Sequence, residues 1–354
     1  MGQPEISREV SSEVSWGPAG IGADQQGPVA IGVLRIGSTR EARPSIETMA
    51  LDTGRCSLAS LERAEQLAGT APTARRWVLI EHSGPWARQP LDTPPLAGQF
   101  ASRLETAMTD NGARLLLIRR PGRQPADSEP RLWRIVDVVT GHAISGLWNT
   151  DRDLEAVIPA VQAVSGPLAD PADPMLLVCT HGVRDACCAI KGRPIVGMLA
   201  RAFGDEVWEC SHLNGHRFAG TALSLPDGAC YGRLDQAEAV RVFTDHRAGR
   251  VDATKLRGLT ELDPAEQAAH VWGLDQLSND HPEAPRTVDD VEIRSAGEER
   301  DGRTLVEVIG VDPGDTSAWV EVQREELPEA PLSCGKASEP ALSFVVRPAP
   351  AQVR

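Results

Sequence analysis

Apolar positions along this chain switch between two rhythms, and each switch marks an element. Leu58, Leu61, Ala64 and Leu67 recur at helical spacing and predict a helix from Cys56 up to Gly69. Residues 77–81 form a short continuous apolar run, which predicts a buried strand. Residues 90–110 carry Leu96, Phe100, Leu104 and Met108 at intervals of four, predicting a helix closed by Asn111 and Gly112. Residues 115–118 and 132–139 predict two further strands, so the first half reads βαββ.

After a junction rich in Ala, Asp and Pro at 166–174, a similar order restarts. Residues 175–179 predict a strand, 190–203 a helix ending near Gly204, and 206–210 a strand. Residues 217–225 and 229–234 pair around Pro226-Asp227-Gly228, whose Asp-Gly is a hairpin signal. Residues 236–247 predict a helix. This βαβββα order is what a thioredoxin-like layer requires, and the first half reads as a degenerate copy of it. Farther on, 263–277 predict a helix. The alternating runs 291–295 and 304–309 predict a hairpin, with 317–323 as a third strand of a small C-terminal β unit.

The chain has 354 residues, 41% hydrophobic and 24% charged, the composition of a soluble globular protein of about two domains. A formal net charge of −14 argues against a sequence-independent nucleic-acid binder, because neutralising phosphates needs a basic surface. An unknown redox partner protein suits this acidic chain better. The N-terminal MGQPEISREV lacks the apolar core of a secretory signal, and no apolar run approaches the roughly 20 residues that span a bilayer. The expected setting is therefore cytoplasmic, with no membrane association and with thiols kept reduced.

The seven cysteines are odd in number and follow no framework spacing. Cys179, His181, Cys187, Cys188, Cys210 and His212 crowd into 34 positions, and His216 follows at once. Cys179 ends a predicted strand, a usual address for functional groups in α/β sheets. Gly182 and Gly192 bracket the turn after it, and the three residues between His212 and His216 let both imidazoles reach one metal. Spacing excludes several centres. Zinc fingers need C-x(2–4)-C, a zincin needs H-E-x-x-H, and a thioredoxin dithiol needs C-x-x-C. Cys210-Ser-His212 is not the second pair a Rieske site needs, and its all-β domain does not fit. An iron–sulfur cluster with mixed ligands remains.

The segments CTHGVRDACCAIKGRP and VWECSHLNGHRFAGTALSLPDGACYGR resemble the signature of the sucrase/ferredoxin-like family, and the likeness extends over roughly residues 55–340. The resemblance implies a thioredoxin-like ferredoxin fold and an electron-transfer role. It also implies a [2Fe–2S] cluster bound through a C-x8-C pair and an H-x3-H pair. Those motifs fall on Cys179, Cys188, His212 and His216. Asn214 stands where the family usually has a second glycine, and Asn tolerates the left-handed geometry that the turn needs. The other readings are a thiol-dependent redox enzyme using Cys187 or Cys188, and a structural zinc module.

The expected layout is a mostly disordered leader at 1–54 and an N-terminal α/β region at 55–165. A thioredoxin-like ferredoxin domain with a trailing helix follows at 166–285, then the small β unit at 286–327 and a loose tail at 328–354. Cys187 is the alternative to Cys188 as ligand. Cys56, Cys210, Cys230 and Cys334 read as inert buried residues, and His181 as a solvated loop histidine or a hydrogen-bond partner of the site.

Overall fold

The computed structural model describes residues 55–122, 130–166, 169–280, 286–297, 301–310 and 317–350, so the leader at 1–54 lies outside the described residues. Helix α1 (Cys56–Glu62) is the first element among the described residues and is shorter than its apolar spacing predicts. Ala64 takes φ 49° and ends the helical path, leaving Leu61 half exposed. Next come β1 (Arg76–Glu81), α2 (Gln99–Asp110), β2 (Ala113–Arg119), β3 (Arg131–Asp137), β4 (His142–Trp148) and α3 (Val157–Ala163). The helix expected over 90–110 begins only at Gln99. Pro94 and Pro95 offer no N–H to a helical ladder, which leaves one short turn at Pro90–Asp92 before the break.

The second half runs β5 (Asp170–Pro171), β6 (Met175–Cys179), α4 (Ala186–Phe203), β7 (Val207–Cys210), β8 (Ala222–Leu225), β9 (Ala229–Tyr231), α5 (Gln236–Arg247) and β10 (Leu256–Leu259). All ten strands form one sheet in the order β10-β9-β8-β6-β7-β2-β1-β3-β4-β5. In each half the first two strands are parallel and the third lies antiparallel on the other side of the first, with the fourth beyond it. That is the thioredoxin-like order, present twice. The copies join through their second strands, where Ile118 faces Cys210 and Arg119 faces Glu209 in antiparallel register. The Arg119 guanidinium sits 2.6 Å from the Glu209 carboxylate and 4.3 Å over the Trp86 ring.

Alternation along the strands divides the core. Val78 and Ile80 of β1 pack with Leu104 and Met108 of α2 and Val157 and Val161 of α3. Trp77 and Leu79 face the other way, into a layer with Leu177, Cys179, Trp208 and Cys210. Each such buried side chain contributes roughly 1.5–3 kcal/mol.

Helix α6 (Pro264–Asp280) carries a separate antiparallel sheet in the order β11 (Val291–Ala296), β12 (Arg303–Gly310), β13 (Ser317–Ala330), β14 (Glu339–Pro348). The chain beyond Pro328, expected to be loose, instead supplies a long strand. Its apolar positions Ala341 and Phe344 are hidden in sequence by the surrounding Pro and polar residues, yet β14 pairs with β13 from Glu339 to Pro348. The fold is thus mixed α/β, with one large mixed sheet and one small antiparallel sheet. No helix among the described residues is long and apolar enough to cross a membrane.

Candidate metal centre

Cys179 is the last residue of β6 and faces Cys210 across the parallel β6–β7 pair. The chain then turns through Thr180–Arg184 into α4, which begins at Ala186 rather than near Ile190. Asp185 caps the helix by accepting the Cys187 N–H at 2.9 Å. Cys187 and Cys188 therefore stand in the first helical turn, where the positive end of the helix dipole favours thiolate. The helix lies hard against the strand end: a Cβ at Gly192 would come within 2.0 Å of the Cys179 carbonyl oxygen.

Beyond β7, Asn214 (φ 56°) and Gly215 (φ 62°) are both left-handed and turn the chain back on itself. Asn214 thus adopts the geometry that the turn requires. The turn rests on Arg257 of β10, which is fully buried and donates to the Leu213 and Asn214 carbonyl oxygens at 3.4 and 3.2 Å. A Cβ at Gly215 would lie 2.4 Å from that guanidinium.

These turns bring Cys179, Cys188 and His212 together, and set His216 against His212. His212 Nδ1 lies 3.9 Å from the Cys179 sulfur and 3.7 Å from the Cys188 sulfur, and His216 Nδ1 lies 3.2 Å from His212 Nε2. Cys179, Cys188 and His212 place their ligand atoms within 4.8 Å of one another. The sulfurs are buried and both imidazoles half-buried; His212 lines a cavity of about 660 Å³ with Trp77, Arg88, Arg114, Arg184 and Asn214.

The electrostatics suit ligation. A hydrogen bond from the Cys188 thiol holds Cys179 well below the usual thiol range against the cost of burial, and His212 adds to this. Cys188 is pushed up in turn by the same bond and by burial. Burial pushes His216 down to about 4, leaving it neutral. Thiolate and neutral imidazole are the metal-binding forms, so a metal ion would displace the Cys188 proton; two sulfurs and two imidazoles make a soft to borderline donor set of the kind that holds iron–sulfur clusters, zinc or copper.

The remaining candidates separate. Cys210 and Cys230 are fully buried, and burial raises both thiols; they are core residues. His181 is not solvated: it is buried, its ring edge-on to Trp86 at 5.7 Å. Cys187 does not face His212 but lies 3.6 Å from the Cys56 sulfur and 3.2 Å from the Cys334 sulfur. Sequence reasoning missed this second group because its members lie 129–278 positions apart or carry no spacing motif.

A model of the sucrase/ferredoxin-like family matches residues 67–258, more than half of the chain. Comparison with curated proteins and with solved structures gave no significant match.

Proposed function

The chain belongs to the sucrase/ferredoxin-like family, and from that premise we propose that it is an electron-transfer protein whose Cys179, Cys188, His212 and His216 hold a [2Fe–2S] cluster. The observation that carries the reading is the convergence of a C-x8-C and an H-x3-H motif at the end of β6, with the sulfurs beneath and the imidazoles at the mouth. When bound, such a cluster supplies one-electron chemistry at a higher potential than an all-cysteine site.

The chain's own groups divide the work. Cys179 and Cys188 form a buried floor closed to water, and the N-terminus of α4 offsets their negative charge. Arg257 fixes the turn that sets the distance between the two imidazoles. His216 Nε2 faces the Asp185 carboxylate at 3.8 Å, so a proton on that nitrogen has an acceptor close by. Arg88, Arg114 and Arg184 line the cavity above His212 and suit a redox partner protein that presents carboxylates. A thiol-dependent enzyme is less well supported, because Cys187 and Cys188 are each only 1% exposed and reactive thiols need access.

The test is iron and acid-labile sulfide analysis of the purified full chain with its visible spectrum. About two irons and two sulfides per chain, with sulfur-to-iron charge-transfer colour, are expected. A colourless protein after anaerobic reconstitution with iron and sulfide would exclude the proposal.

A further inference from the structure

Beside the quartet lies a second convergence, whose three cysteines the proposed cluster does not use and which meets the first site at Asp185. The Cys56 sulfur is 3.6 Å from that of Cys187 and 3.6 Å from that of Cys334, and the Cys187–Cys334 separation is 3.2 Å. The Asp185 carboxylate closes the group, its oxygens 3.7 and 3.8 Å from the Cys56 sulfur. All four ligand atoms lie within 4.8 Å of one another.

The geometry points to a second metal centre, a closed tetrahedral zinc site formed by Cys56, Cys187, Cys334 and Asp185. A tetrahedron with metal–sulfur bonds of about 2.3 Å has sulfur–sulfur edges of about 3.8 Å; two of the observed edges, at 3.6 Å, are near this and the third, at 3.2 Å, is shorter. Three thiols cannot all pair as disulfides, and Asp185, whose side chain is fully buried, adds an oxygen donor beside the sulfur triangle.

Its orientation is fixed by the Cys187 N–H, the Cys334 N–H at 2.8 Å and the Ser333 hydroxyl at 3.0 Å. Ser57 donates to the Cys187 sulfur at 3.3 Å, the kind of outer hydrogen bond that orients a ligand. Zinc is the ion these groups suit: three thiolates and one carboxylate oxygen complete four-coordination in a buried setting with no position left for substrate. Binding releases the thiol protons to solvent, forms three metal–sulfur bonds and one metal–oxygen bond, and involves no change of oxidation state. The ion would clasp α1, the start of α4 and the β13–β14 connection at one point.

The test is metal analysis and zinc-edge X-ray absorption on the full chain produced in medium containing zinc and iron. About one zinc per chain is expected, surrounded by three sulfurs near 2.3 Å and one oxygen near 2.0 Å. Cys56→Ser and Cys334→Ser should each lose that zinc while keeping the iron and the visible spectrum, and Ser57→Ala should weaken zinc retention about tenfold. The absorption measurement on the unaltered chain needs no variant to fold. A shell of two sulfurs and two nitrogens would place the zinc at the Cys179–His216 site and overturn the inference. So would zinc content unchanged in both cysteine variants, or a zinc-free chain that takes up no Zn²⁺ under reducing conditions. Iron content reports separately on the [2Fe–2S] proposal.

Discussion

Cys187 and Cys188 are adjacent in sequence yet belong to different clusters: the Cys187 sulfur lies 3.2 Å from Cys334, and the Cys188 sulfur 3.7 Å from His212 Nδ1. Successive residues of a helix point about 100° apart, so the first turn of α4 feeds two sites. Cys188→Ala is therefore expected to abolish normal cluster assembly, and Cys187→Ala to leave the visible spectrum in place. Reconstitution of the two variants side by side checks this.

The imidazole turn depends on two left-handed residues and one buried guanidinium. Gly215→Ala puts a Cβ against Arg257 at a φ of 62°, and is expected to cost about 1–3 kcal/mol of stability. Asn214→Gly, by contrast, should leave stability and iron content nearly unchanged, because the position is already left-handed. Chemical denaturation and iron analysis of both variants decide the matter.

Much of this was legible in the sequence where elements are short and carry strong punctuation. The β6–α4–β7 unit, the Asp227-Gly228 hairpin and α5 appear because apolar runs are bounded by turn residues. Strand β4 escaped because Gly146 and exposed Leu147 break its alternation, and β14 because its pairing with β13 outweighs a Pro-rich composition. The family resemblance pointed to Cys179, Cys188, His212 and His216, and the fold brings the first three together. The grouping of Cys56 with Cys334 was not legible, since only the tertiary fold brings α1 and the β13–β14 connection together.

Removing residues 329–354 deletes β14 and uncovers Val320 and Val322 of β13. A loss of about 2–4 kcal/mol is expected, with faster hydrogen exchange in α6 and β12. Denaturant unfolding with hydrogen-exchange mass spectrometry measures both.

His270 of α6 is fully buried, and burial pushes its pKa down to about 4, although its Nε2 hydrogen-bonds the Val288 carbonyl at 2.8 Å. Its folded pKa lies below the unfolded value of about 6.5, so the unfolded chain binds the extra proton first. Its stabilising contribution is full above about pH 6.5 and is lost as pH falls toward 4, up to about 3 kcal/mol. Unfolding curves from pH 7 to 4 should flatten over that window in His270→Gln, whose amide can still donate to Val288.

Pulsed electron paramagnetic resonance on the one-electron-reduced full chain reads the cluster's histidine ligands directly. A spin-half signal coupled strongly to two nitrogens, from His212 and His216, is expected, with one coupling lost in His216→Cys. A reduced cluster with no strongly coupled nitrogen, or with two couplings that survive substitution of either histidine, would contradict the ligand assignment.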